Sequence, residues 1–112
     1  MHVDYDEVGA GLVCHLVGNL EHLSVDEFRE EVAQLRANAH VIFDLSAVPF
    51  VDSAGLGALI GAIRHVRDLN GDVIVCAARP SVARVLDIVG LSRIVAVVED
   101  LAKAKTLLLS VA

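Results

Sequence analysis

At 112 residues the chain is long enough for one domain with a single real core. Hydrophobic residues make up 55% of it and aromatics only 4%, which excludes a disordered chain and requires a core of Val, Leu, Ile and Ala. The formal charge is -6, with nine basic residues scattered among fifteen acidic ones, so the clustered cations that grip nucleic-acid phosphates are missing and no direct nucleic-acid partner is expected.

The N-terminus, Met1-His2-Val3-Asp4-Tyr5-Asp6-Glu7, is acidic and lacks the apolar centre of a signal peptide. Short strands follow as Val3–Glu7 and Leu12–Val17, joined as a hairpin around Gly9-Ala10-Gly11. A helix should start at Ser24, with Glu27 completing a capping box and Leu23 stapled to Phe28. Its apolar stripe is Val25, Phe28, Val32 and Leu35, and it should end near Asn38. His40–Leu45 reads as a strand. A turn through Ser46–Val51 leads to a second helix from Ser53, with Leu56, Leu59, Ile60, Ile63 and Val66 on one face and Arg64, His65 and Asp68 largely away from it.

Asn70-Gly71 ends that helix, and Asp72–Ala77 is another buried strand. Pro80 opens a third helix with Val82, Val85, Leu86 and Val89 inward. Gly90 suits the left-handed residue that closes it, with Leu91 folding back on Leu86. Ile94–Val98 is a fifth strand, and Asp100 caps a last helix facing inward with Leu101, Ala104 and Leu108. The order β-β-α-β-α-β-α-β-α predicts an α/β fold: a mixed sheet of about five strands with about four helices, in one domain over 1–112.

No stretch approaches the roughly 18 uninterrupted apolar residues of a membrane span, so no membrane insertion is expected and the cytoplasm is the expected location. Cys14 and Cys76 each lie in an apolar run without metal-ligand spacing, and read as small buried hydrophobes. Catalytic residues are not found. The five histidines are dispersed, Ser53 lacks a nucleophile-elbow glycine two residues before it, and the Gly55-Leu56-Gly57 run misses a dinucleotide fingerprint because its third glycine falls at Gly61. No cofactor and no metal are expected, and the chain reads as a binding module, not an enzyme.

The informative stretch runs from Asp44-Leu45-Ser46 through Val48-Pro49-Phe50 to Asp52-Ser53-Ala54-Gly55-Leu56-Gly57. It places a hydroxyl at the first position of a helix, where free N–H groups and the positive dipole end favour a phosphate. Gly55 and Gly57 would let another backbone come close. Periodicity alone makes Leu56 a core residue and makes Ser53, or Asp52 beside it, an ordinary cap.

That stretch resembles the phosphorylation-site segment of the anti-anti-sigma factors of the STAS family, and Leu86-Asp87-Ile88-Val89-Gly90-Leu91 is similar to the segment that closes the family's third helix. The resemblance implies an anti-sigma factor antagonist. Unmodified Ser53 would permit binding to an anti-sigma factor that is also a serine kinase, so freeing a sigma factor to act in transcription. Phosphorylation of Ser53 would end that binding, and a serine phosphatase would reset it. The same resemblance gives Asp52 to Gly57, and the loop Gly18-Asn19-Leu20-Glu21, to the partner surface. Asn19 and Glu21 are its contacts there, with Glu21 standing where the family commonly has Asp. Similar domains also serve as regulatory subunits of membrane transporters or as parts of stress-sensing scaffolds. Gly57 and Gly61, with Arg64 beyond, would give a flat face for such a subunit, or would let this helix lie close to its own sheet, as periodicity favours.

Overall fold

A computed structural model describes residues 1–111. The elements are β1 (His2–Val8), β2 (Gly11–Val17), α1 (Val25–Ala33), β3 (Val41–Ala47), α2 (Ser53–Asp68), β4 (Val73–Cys76), α3 (Pro80–Ile88), a short 3-10 turn (Leu91–Arg93), β5 (Ala96–Val98) and α4 (Leu101–Val111). The expected order and fold class hold. The five strands lie side by side in sequence order, with β1 antiparallel to β2 and every later pair parallel.

Sequential order has a consequence for the helices. Crossovers of one hand that all step the same way along a sheet put their helices on the same face. Accordingly α1, α2 and α3 share one core with Leu12, Cys14 and Leu16 of β2, Val41, Phe43 and Leu45 of β3, and Val73 and Val75 of β4. Phe28 packs edge-on against Phe43, with ring centroids 5.9 Å apart. The alternate strand residues, Val13, Ile42, Ile74 and Cys76, meet only α4, through Ala104 and Leu108. Both cysteines are buried and unpaired, and burial pushes each thiol up to about 12, so neither holds a thiolate near neutrality.

α4 packs on β3, β4 and β5 and reaches Val13 and Gly11 of β2; beyond it, toward His15, the same face carries polar side chains. His15 lies between two carboxylates. Its Nδ1 is 2.6 Å from Asp44 Oδ2 and its Nε2 is 2.9 Å from Asp6 Oδ2. Asp4 stands opposite His15 in the strand register, and Cys76 stands opposite Asp44.

Several local expectations are corrected. The helix expected to reach Asn38 ends at Ala33; Asn38 is left-handed (φ 65°) and donates its N–H to Leu69 O at 2.7 Å, so the chain has already turned toward α2. Ser24 does not cap α1. Its backbone is helical (φ -119°, ψ -7°) instead of extended, so its hydroxyl cannot reach back to the first turn. Leu23 is 77% exposed and staples nothing. The fifth strand is shortened from its start by the 3-10 turn after left-handed Gly90. Val89, expected inside α3's stripe, is exposed, whereas Val82 and Leu86 are buried.

Candidate functional site

The central strand β3 delivers the chain to the C-terminal end of the parallel strands, and Pro49-Phe50-Val51 turns it into α2. Asp52 is the residue before the helix, extended (φ -98°, ψ -176°), and its Oδ1 accepts the Gly55 N–H at 2.7 Å. The cap therefore belongs to Asp52. Ser53 is the first helical residue, and it is exposed. An exposed hydroxyl thus stands at the positive end of a 16-residue helix. Asp52 keeps its charge there: the Gly55 N–H, and next to it His22, hold its carboxyl below the usual carboxylate value, although partial desolvation works the other way.

The second segment of the site is the loop from Gly18 to Ser24, which is joined to the first by backbone. Leu20 N–H donates to Phe50 O at 2.9 Å, Asp52 N–H donates to Leu20 O at 3.2 Å, and Leu20 and Val51 form a parallel bridge. The loop also braces itself. The Ser24 hydroxyl, almost fully buried, donates to Asn19 O at 2.6 Å and accepts the Glu21 N–H at 3.0 Å. The side chain expected to start α1 instead shapes the loop in front of it.

The expected site residues do not all face outward. Ser53, Gly57 and Asn19 are exposed; Ala54, Leu56 and Glu21 are half-buried; Gly55 is buried. Leu56 packs against the main core, close to what its spacing indicated. Gly55 is corrected in role: a Cβ on it would lie 1.8 Å from Leu20 O, so its missing side chain admits this chain's own loop and not another protein's backbone. A Cβ on Gly57 would meet nothing within 4 Å. The same holds at Gly61, so these two glycines do not bring α2 close to its sheet. They line a shallow groove with Arg29, Val32 and His65 between α1 and α2.

Two large apolar residues that sequence reasoning left out also stand at this end of the molecule. Phe50 is 50% exposed in the turn before Asp52, and Leu23 projects from the loop next to His22, whose N–H meets Asp52 Oδ2 at 3.1 Å. Leu23 looked like a staple and Phe50 like a turn residue; only failed burial marks them. Among the described residues, no group of three or more His, Cys, Asp or Glu side chains is arranged to hold a metal ion, and no helix is long and apolar enough to cross a membrane.

Residues 2–104 match the STAS domain family, and the chain belongs to it. The anti-sigma F factor antagonist of Paenibacillus polymyxa is 33% identical over 98 residues, covering 85% of this chain and 84% of that protein. An anti-sigma factor antagonist from Mycobacterium paratuberculosis has the same fold, with a TM-score of 0.85 at 20% identity over 95% of this chain and 92% of that one. The Bacillus cell fate determinant SpoIIAA, solved in its phosphorylated form, superposes with a TM-score of 0.66 at 20% identity over 91% and 94% of the two chains.

Proposed function

We propose that this protein is an anti-sigma factor antagonist whose docking surface is switched by phosphorylation of Ser53. Unmodified, it binds an anti-sigma factor with serine kinase activity and so frees a sigma factor for transcription. Phosphorylated, it lets go, and a serine phosphatase restores it. The observation that carries this reading is the exposed hydroxyl of Ser53 at the first position of α2, beside a cap that Asp52 supplies on its own. Membership of the STAS family supports it, as do a relative named as an antagonist and a relative of the same fold known in a phosphorylated form.

The physics of the switch is a contrast between two environments. A phosphoserine adds about -1.5 to -2 charges near neutral pH. In the free protein the helix N-terminus favours that charge by roughly 0.3–1 kcal/mol, ionised Asp52 opposes it, and water solvates it, so the fold persists. In a closed interface the dianion loses its water, and without a matched cation the cost is several kcal/mol. That weakens binding by more than about a hundredfold, at tenfold for each 1.4 kcal/mol. Leu23 and Phe50 supply exposed apolar area flanking the hydroxyl, of the kind that a partner buries at an interface centre.

The test uses a purified anti-sigma factor kinase from the same organism. With ATP, intact-mass measurement should show one phosphate added to the wild type and none to Ser53→Ala. Binding should be tight for the wild type and Ser53→Ala and much weaker for Ser53→Asp. Equal binding by the Asp and Ala variants removes the electrostatic account; phosphate on Ser53→Ala removes the site.

A further inference from the structure

The geometry points to Asp52 as a positioning residue that clips the Gly18–Ser24 loop onto the first turn of α2, so that the two segments dock as one rigid surface. The inference rests on the function proposed above, and it moves Asp52 from the partner's side of the interface to the scaffold beneath it. Its carboxylate is used twice. Oδ1 accepts the N–H of Gly55, inside its own helix, and Oδ2 accepts the N–H of His22, thirty residues away in the loop.

A helix cap needs only the first of these bonds. Ser, Thr and Asn cap about as well as Asp, each with one oxygen. What a carboxylate adds is a second acceptor oxygen, and here that oxygen meets a different segment. The surroundings fit such a clip. Asp52 N–H and Leu20 O already join the two segments, and the absent side chain of Gly55 lets Leu20 O come this close. The Ser24 hydroxyl then fixes the loop internally between Asn19 and Glu21. Asn19, Glu21 and Leu23 thereby hold a fixed position relative to Ser53. A partner meeting them spends little ordering the loop, which is where preorganisation raises affinity.

Asp52→Ser and Asp52→Asn separate clip from cap, because both retain an oxygen for Gly55. The serine is too short to serve both N–H groups, and the asparagine presents an NH2 to the donor of His22. Amide hydrogen exchange followed by NMR should show Gly55 protection within about threefold of wild type in both variants. His22 exchange should become about tenfold faster, the worth of one hydrogen bond to a charged acceptor. Thermal midpoints should fall by only several degrees, as one lost hydrogen bond implies, while affinity for the anti-sigma factor kinase falls about tenfold. Wild-type exchange at His22 in both variants overturns the clip, as does a rise at Gly55 equal to that at His22. Faster His22 exchange with unaltered affinity overturns the positioning role. If the wild type itself fails to bind the kinase, the functional reading falls, while exchange at His22 still decides whether the clip exists.

Discussion

Two places in this molecule rest on one polar side chain that makes two bonds. At the end that carries Ser53, the carboxylate of Asp52 accepts N–H groups from the helix and from the loop. On the α4 face of the sheet, the imidazole of His15 lies between Asp44 and Asp6. The first joint is made to two backbone N–H groups, with the exposed His22 imidazole beside it, its Nδ1 3.6 Å from Asp52 Oδ2. The second joins charged groups and changes with protonation: an imidazole with both nitrogens against carboxylate oxygens donates to both only as the imidazolium. The Asp52 joint therefore rests mainly on backbone donors, whereas the hairpin face depends on the charge of an imidazole bracketed by two carboxylates.

The largest expected effect comes from closing the space at the docking end. Gly55→Ala places a Cβ against Leu20 O and should cost on the order of 3 kcal/mol, read as a shift in the urea midpoint. A wild-type midpoint would mean the loop yields freely and is not part of one rigid body. Next is His15→Ala, which leaves the buried Asp44 carboxylate without its imidazole partner and should cost about 1–3 kcal/mol near pH 6.

The pH dependence of that difference sharpens the comparison. Burial pushes His15 down, but its hydrogen bonds to Asp44 and Asp6 outweigh this and raise it above 6.5. Burial pushes Asp44 up, but the Ser46 N–H and His15 hold it below 3.8. A raised histidine stabilises fully below its ordinary value and loses that contribution as pH climbs through the raised one; a lowered carboxylate stabilises above its ordinary value and fails as pH falls through the lowered one. The gap between wild type and His15→Ala should thus be widest between pH 3.8 and 6.5 and shrink on either side. Denaturation at a series of pH values checks this, and a gap that is constant into the alkaline range would show that the bracket does not depend on the charge of His15.

The smallest effects on the fold should come from Phe50→Ser, at a half-exposed side chain, and then Leu23→Ser, at a largely solvated one. Phe50→Ser should cost about 1 kcal/mol, for the half of the ring that is buried, and Leu23→Ser less than about 0.5 kcal/mol. If these residues are interface anchors, each should nonetheless weaken kinase binding at least tenfold in a calorimetric titration. Unchanged binding would confine the docking surface to the Ser53 turn.

Much of this was legible in one dimension. Alternating apolar runs and helical stripes gave the element order, because a buried strand and an amphipathic helix each leave a periodic mark. The Asp52–Gly57 run placed a serine at a helix start and allowed Asp52 as the cap, which the structure bears out. Boundary signals misled where a residue had a second, distant use. Ser24 has every local attribute of an N-cap, yet its hydroxyl serves Asn19 and Glu21; Leu23 has the spacing of a staple, yet points to water.

The sequence by itself determined the fold class, the order of the elements and the one-hydroxyl helix start, since each depends on neighbours within a few positions. Only the tertiary structure decided that Gly55 receives this chain's own Leu20, that Asp52 reaches His22, and that Asp6 and Asp44 close on His15. These contacts join segments nine to thirty-five residues apart, and no local periodicity encodes which distant group will arrive when strands settle side by side and helices share a face.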